Sequence, residues 1–164
     1  MLFSSIVFLF TFLSVILILY YLVPRRLKNA LLLLCSLVFY AWGEPVYIFL
    51  MIFSIIFNYI SGLDIARNLK NRRAARGSLI FNLIVNLGIL GFFKYEGFLL
   101  DSLNRVLPVD IPYRELALPI GISFYTFQIL SYIIDVYRQN VKAQKNFMDF
   151  ALYVTMFPQL IAGP

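Results

Sequence analysis

The feature that most constrains this chain is its first long apolar run, residues 3–23, which contains no charged residue. A helix rises about 1.5 Å per residue, so about 20 apolar residues cross the hydrocarbon core of a bilayer. The basic residues come after the run, in residues 24–28, whereas a cleavable signal peptide carries them before its apolar core. We therefore predict an uncleaved first transmembrane helix.

The composition of the whole chain indicates the same class of protein. Of the 164 residues, 62% are hydrophobic and only 13% are charged, and the mean hydropathy is +0.85. A soluble domain of this size needs a far larger polar surface. We predict an all-α, polytopic transmembrane helix bundle that forms a single, incomplete membrane domain over residues 1–164.

Five further apolar segments are predicted to be spans. A tight hairpin joins the second to the third at Gly43-Glu44-Pro45, because the residue before proline disfavours helix and glycine tolerates the backbone angles of a turn. The second segment is short for a crossing and is predicted to be short or re-entrant, and the last is predicted to be truncated. The six predicted spans are about residues 3–23, 29–42, 46–63, 77–93, 116–134 and 150–164.

The distribution of lysine and arginine predicts the orientation. The segments 24–28, 64–76 and 135–146 contain three, five and three basic residues, which is 11 of the 14 in the chain. Because basic loops face the cytoplasm, we predict that loop 64–76 is cytoplasmic and that the amino terminus and loop 94–115 lie outside. The basic run in loop 64–76 also resembles a nucleic-acid patch, but beside two spans it favours anionic lipid, so no nucleic-acid partner is predicted.

Polar residues recur at helical spacing within the fifth predicted span. At about 100° per residue, five residues fall on one side of it: Gly121, Gln128, Ser131, Asp135 and Arg138. Lipid offers no hydrogen-bond partner, so such a face points at other helices or at a watery cavity. For Asp135 and Arg138 two interpretations stay open, an i,i+3 pair at the cytoplasmic interface or the lining of a polar path. Gln128 is nearer mid-span and is the sharper candidate for lining.

Two other polar sets lie on the third and fourth predicted spans. They are Ser54, Asn58 and Ser61 on one, and Asn82 and Asn86 on the other. Amides and hydroxyls bond across neighbouring helices in membrane bundles. We predict that these five residues join helices.

The chain carries no recognisable reaction chemistry of its own. It contains no histidine, which removes the commonest general base and the commonest zinc ligand. It has no glycine-rich phosphate loop and no set of residues for nucleophilic catalysis. Its single cysteine, Cys35, lies in an apolar run and is predicted to be a small buried hydrophobe. No catalytic residue, metal site or bound cofactor is predicted within the chain.

Several motifs, in order along the chain, carry a family resemblance. They are MLFSSIVFLFTFL at the start, FYAWGEP at 39–45, FFKYEGF at 92–98, LPIGISFYTFQILSYIIDVYR at 118–138 and NFMDFALYVTMFPQLIAGP at 146–164. Together they resemble the amino-terminal part of the membrane-bound O-acyltransferase family, in its alginate O-acetylation branch. The 118–138 block and the closing FPQLIAGP are the most specific, and the resemblance covers essentially the whole chain.

The resemblance implies a multi-pass enzyme of the bacterial inner membrane. Such an enzyme moves an acyl group, usually acetyl, from a cytoplasmic donor, acetyl-CoA or an acyl carrier, to hydroxyls of an exported, alginate-like polysaccharide. An extracytoplasmic O-acetylation partner protein is expected, besides membrane lipid. In that family the base is a histidine further along the chain, so we expect an amino-terminal fragment that is inactive alone. Four residues are candidates for lining or supporting the central funnel: Gln128, Asp135, Arg138 and Gln159.

A different class of function stays open beside the enzyme. In a non-enzymatic transport or scaffold subunit for cell-envelope polymer export, the same polar faces would form a substrate path. Transporters commonly show repeat symmetry between their halves. No inverted copy of residues 3–63 is visible in the sequence, which favours the acyltransferase.

Overall fold

The computed structural model describes residues 8–106, 119, 121–156 and 158, with the backbone alone for residues 8, 9 and 96–106. Within this part of the chain all regular structure is helical. A π-helical segment, Phe8–Leu13, runs into the first α-helix, and a short 3-10 turn, Arg25–Leu27, precedes the second. The helices are α1 Ser14–Leu22, α2 Lys28–Gly43, α3 Ile48–Arg67, α4 Arg72–Val106, α5 Ile122–Arg138 and α6 Phe147–Thr155.

The fold class predicted from composition is confirmed. Helix α3 and the Arg72–Tyr95 part of α4 are long and apolar enough to cross a membrane, with mean hydropathies of 1.9 and 1.6. Large apolar side chains such as Phe49 and Ile84 point outward and are exposed. Such an exterior is stable in lipid, where an outward apolar side chain costs nothing. The chain is an all-α, partial membrane helix bundle.

Helices α3, α4 and α5 form the centre of the bundle. Each of the three packs against the other two, and α6 packs against α2, α3 and α5. Apolar side chains fill the space between them, including Met51, Ile129 and Ile133, which are fully buried. Helix α1 packs on α2 through a smaller cluster around Ile16 and Phe39.

Gly62 allows α3 and α5 to approach closely. A Cβ atom at this position would lie 3.3 Å from Cε1 of Tyr132 on α5 and 3.5 Å from Cδ1 of Ile133. Small residues at helix crossings let two backbones come together in membrane bundles. The crossing holds the carboxyl-terminal halves of α3 and α5 side by side.

The three basic segments of the chain meet at one end of the bundle. Asn29, at the start of α2, donates a hydrogen bond to Asp149 at the start of α6. Arg67, at the end of α3, lines the same groove as Lys142 and Lys145, which follow α5. The six predicted spans require this arrangement, because two of them separate each basic segment from the next.

Two predicted loops are shorter than expected. The connection predicted over residues 64–76 covers only residues 68–71 in the structure, because α3 continues to Arg67 and α4 begins at Arg72. Span 77–93 lies within α4, whose membrane-length apolar part ends at Tyr95, and the helix continues through the first part of the predicted loop to Val106. The reason is that no proline lies between Pro45 and Pro108, and charged residues alone do not stop a helix.

The remaining predicted boundaries are closer to the structure. The hairpin at residues 43–45 is present, with α2 ending at Gly43 and α3 beginning at Ile48. Helix α2 has 16 residues, about 24 Å, which is short for a crossing as predicted. Helix α5 begins at Ile122, later than predicted, because Gly121 takes a left-handed conformation with φ of 75°. Most of residues 107–120 and of 157–164, and Gln159 with them, lie outside the described residues.

Candidate functional site

The polar end of α5 is fixed by its own backbone. Gln139 takes a left-handed conformation and donates its N–H to the carbonyl of Val136 at 3.1 Å, while the N–H of Asn140 reaches the carbonyl of Asp135 at 2.9 Å. This pair of bonds is a Schellman motif, which satisfies carbonyls that a helix end leaves free. It holds the chain that follows α5 against the last turn of the helix.

Asp135 is bonded to this turn. Its Oδ1 accepts a hydrogen bond from Nδ2 of Asn140 at 3.1 Å, and the residue is half-buried. Arg138 is exposed. Both residues lie at the end of the helix, as the first of the two open interpretations requires. The hydrogen-bond partner of the Asp135 carboxylate, however, is Asn140.

A polar cavity of about 470 Å³ lies beside this end of α5. Ser131 and Asp135 line it from α5, Asp149 and Tyr153 line it from α6, and Lys142 and Gln144 line it from the segment between them. A second cavity of about 590 Å³ shares Gln144, Asp149 and Tyr153 with the first and extends to Asn29. We call the two together the polar groove. It brings two carboxylates, those of Asp135 and Asp149, to one surface.

Sequence reasoning missed Asp149. It lies in the first turn of α6, where its charge is favourable beside the helix dipole. Asn146 caps the same helix by accepting a hydrogen bond from the N–H of Met148 at 3.0 Å, and Nδ2 of Asn29 donates to Asp149 at 2.8 Å. The pattern of Asn146 followed by Asp149 is a recognisable helix start, which places the carboxylate in a first helical turn but not beside Asp135.

Gln128 joins α5 to α6. Its Nε2 donates a hydrogen bond to the backbone carbonyl of Tyr153 at 2.9 Å, and the side chain is half-buried. It lies about one turn before Ser131, so the same face of α5 supports α6 at Gln128 and lines the polar groove at Ser131 and Asp135. The structure thus brings Gln128 and Asp135 to one face, with Arg138 on the exposed side.

Three asparagines join α3 to α4, as predicted. Asn58 and Asn86 exchange amide hydrogen bonds of 3.0 and 2.9 Å, and Nδ2 of Asn82 donates to Oδ1 of Asn58 at 2.7 Å. All three side chains are at most 3% exposed. Asn58 also donates to the carbonyl of Ser54 at 2.8 Å. Each amide has partners inside the bundle, so the set needs no ligand to satisfy it.

Two tyrosines fix the segment between α5 and α6. The hydroxyl of Tyr132 accepts a hydrogen bond from the N–H of Gln144 at 2.8 Å, and the hydroxyl of Tyr59 donates one to the carbonyl of Lys145 at 2.6 Å. These contacts attach the segment to α5 and α3 at once. Over the described residues, no group of three histidine, cysteine or acidic side chains could hold a metal ion.

The chain is similar over its whole length to curated bacterial proteins. It is 49% identical to the probable alginate O-acetylase AlgI of Pseudomonas aeruginosa and 46% identical to that of Azotobacter vinelandii, each over 168 aligned residues. It is 36% identical over 193 aligned residues to a peptidoglycan O-acetyltransferase of Helicobacter pylori. All three alignments cover 100% of this chain.

The chain spans about a third of the length of these relatives, 32% and 34% of the two alginate proteins and 36% of the third. No family model matches the chain, and no solved structure matches it. The resemblance predicted from the motifs is nevertheless confirmed by identities of 43% or more with five proteins of the same name.

Proposed function

We propose that this chain, which belongs along its whole length with the alginate O-acetylase group of acyltransferases, forms part of a membrane enzyme that acetylates a polysaccharide. The observation that carries the proposal is the 49% identity over all of the chain with the probable alginate O-acetylase of Pseudomonas aeruginosa. Alginate and peptidoglycan, the acceptors in the relatives' names, both offer sugar hydroxyls. The substrate class is therefore a hydroxyl-bearing cell-envelope polymer, with an alginate-like chain as the closest case.

The reaction moves an acetyl group from a thioester to an oxygen. We expect acetyl-CoA or an acyl carrier as the donor, since both hold the group on sulfur. The acceptor hydroxyl attacks the carbonyl carbon, a carbon–oxygen bond forms, the carbon–sulfur bond breaks, and the hydroxyl proton ends on the leaving thiol. A base beside the hydroxyl speeds this step. Residues 1–164 contain no histidine, so the base of the family comes from another part of the enzyme.

The contribution of this chain is to build and hold a wall of the reaction chamber. Gln128 fixes α6 against α5, and Ser131, Asp135 and Asp149 line the polar groove between them. Carboxylates and hydroxyls accept and donate hydrogen bonds to water and to sugar hydroxyls. Lys142 also lines the groove, so the lining carries charges of both signs and can order hydroxyl-bearing or charged groups through hydrogen bonds.

The orientation proposed for the chain has the amino terminus outside and residues 68–71 in the cytoplasm of a bacterial cell, at its inner membrane. What supports it is the meeting of the basic segments at one end of the bundle, together with the positive-inside rule. A cytoplasmic thioester donor then approaches the basic end, and the exported polymer approaches from the other. An extracytoplasmic partner protein would receive or present the polymer there.

Complementation tests the proposal. The full-length gene that carries this segment is expressed in an alginate-producing strain from which the native O-acetylase gene is deleted, and ester-linked acetyl per uronate residue is measured by proton NMR. We expect acetylation to return. Wild-type levels of membrane-inserted protein with unacetylated polymer would contradict the enzyme assignment. Changed polymer export without any change in acetylation would favour a transport or scaffold subunit instead.

A further inference from the structure

A second groove opens beside the segment that follows α5 and shares Val141, Lys142 and Ala143 with the polar groove. It has a volume of about 840 Å³ and lies between the end of α3, the end of α5 and residues 141–145. We call it the basic groove. Its charged lining residues are Arg67, Lys142 and Lys145, all exposed, and no carboxylate is among its lining residues. It differs in charge from the polar groove, which shares Lys142 but also has two carboxylates, those of Asp135 and Asp149.

Apart from Gln139, the rest of the basic groove is apolar. Its wall is formed by six apolar residues: Leu63, Ala66, Leu69, Val136, Val141 and Ala143. Cations at the rim of an apolar wall match a ligand with an anionic head and an apolar tail. A hydrophilic phosphate compound fits the cations but leaves the wall without a partner.

The position of the basic groove relative to the membrane fits the same ligand. Arg67 is in the last turn of α3, a 20-residue apolar helix that is long enough to cross a bilayer. The ends of such a helix lie at the level of the lipid headgroups, where basic side chains interact with lipid phosphates. Lys142 and Lys145 lie just beyond the end of α5, so all three cations reach the same level.

The walls of the basic groove are held in place before any ligand binds. Tyr59 bonds the carbonyl of Lys145, and Tyr132 bonds the N–H of Gln144. The close crossing at Gly62 fixes the distance between α3 and α5. A preformed site loses less conformational entropy on binding than a mobile one.

We propose that the basic groove binds one anionic phospholipid, with the headgroup phosphate on Arg67, Lys142 and Lys145 and an acyl chain along the apolar wall. Phosphatidylglycerol, a common anionic lipid, has this chemistry. The site shares residues 141–143 with the polar groove, and it does not depend on the acyltransferase assignment. Its occupant holds the segment between α5 and α6, and with it one wall of the polar groove.

The test is lipid binding to the full-length protein. The protein is purified in a mild detergent, phosphatidylglycerol or phosphatidylcholine with the same acyl chains is added, and bound lipid is counted by native mass spectrometry. We expect the wild type to bind phosphatidylglycerol in preference. Replacing all three cations with glutamine (R67Q, K142Q, K145Q) should weaken this binding at least about tenfold, because each cation near a headgroup contributes to the attraction.

The matched control is a triple variant of the nearby exposed cations that do not line the groove: K70Q, R73Q and R76Q. It removes the same charge and should bind phosphatidylglycerol as the wild type does. Equal losses in both variants would show a general charge effect and would overturn the site. Unchanged binding in R67Q/K142Q/K145Q would overturn it as well.

A competition experiment separates a lipid from a soluble phosphate compound. Glycerophosphoglycerol, which is the same headgroup without acyl chains, and coenzyme A are each added to the lipid-loaded protein. We expect neither to displace the lipid at equal concentration, because neither reaches the apolar wall. Displacement by either at that concentration would contradict a lipid site. Thermal unfolding of both triple variants within a few degrees of the wild type shows that the exposed substitutions leave the fold intact.

Discussion

Asn58 is the residue on which the buried polar contacts of α3 and α4 converge. It bonds Asn82 and Asn86 and is fully buried. Replacing Asn58 with leucine removes the shared acceptor and leaves both neighbouring amides short of a partner. We expect a loss of about 1–2 kcal/mol in the free energy of unfolding, seen as a lower thermal midpoint of the full-length protein in detergent.

The control for Asn58 is Ser61→Ala on the same helix, at a half-buried position. This substitution should shift the midpoint by much less. A midpoint for Asn58→Leu equal to that of Ser61→Ala would mean that the asparagines contribute nothing to holding α3 on α4.

Gly62 provides a second test at the scale of single residues. In Gly62→Ala the new Cβ lies 3.3 Å from Cε1 of Tyr132, so the tyrosine ring must give by a few tenths of an ångström, and overpacking of this kind costs about 1–3 kcal/mol. Gly77→Ala is the matched control, because nothing lies within 4 Å of a Cβ there and alanine favours helix by about 1 kcal/mol. We expect the first variant to lower the midpoint and the second to keep or raise it. The same shift in both would argue against a close crossing.

At the scale of elements, the pairing of α5 with α6 is the contact that shapes the polar groove. Gln128→Leu removes the hydrogen bond to the carbonyl of Tyr153 and should lower acetyl transfer by the full-length enzyme several-fold without lowering its amount in the membrane. Phe127→Leu changes the adjacent, outward-facing side chain and should leave transfer unchanged. The measurement is the number of acetyl esters on the exported polymer for each variant, normalised to the amount of that variant in the membrane. Full transfer by Gln128→Leu would remove Gln128 from the site.

The elements also show how far the sequence alone could predict the structure. The turn at residues 43–45 was predictable because glycine and proline act locally. The length of α4 was not, because the charges after Phe93 indicate a membrane boundary, whereas helix continues until something breaks its backbone pattern. The polar face of α5 was visible in its spacing. Its partner Asp149 was not, because only the tertiary packing of α6 on α2 and α5 brings that carboxylate to Asp135.

For the whole molecule, the orientation in the membrane is open to direct labelling. In a full-length background from which Cys35 and every cysteine outside residues 1–164 are removed, a cysteine at exposed Asn71, between α3 and α4, reports one end of the bundle. We expect a membrane-impermeant maleimide to label Asn71→Cys in inside-out vesicles but not in intact spheroplasts, because this end carries most of the basic residues. Labelling in intact spheroplasts would invert the proposed orientation.

The central claim is that residues 1–164 work as part of a polysaccharide O-acetyltransferase. The most direct measurement replaces the matching third of the Pseudomonas aeruginosa relative, with which the chain is 49% identical, by this chain. The chimera is expressed in the corresponding deletion strain, and ester-linked acetyl per uronate residue is measured on the exported alginate. We predict acetylation well above the deletion background. A chimera that is present in the membrane, unfolds at the temperature of the native relative and leaves the alginate unacetylated would contradict the claim.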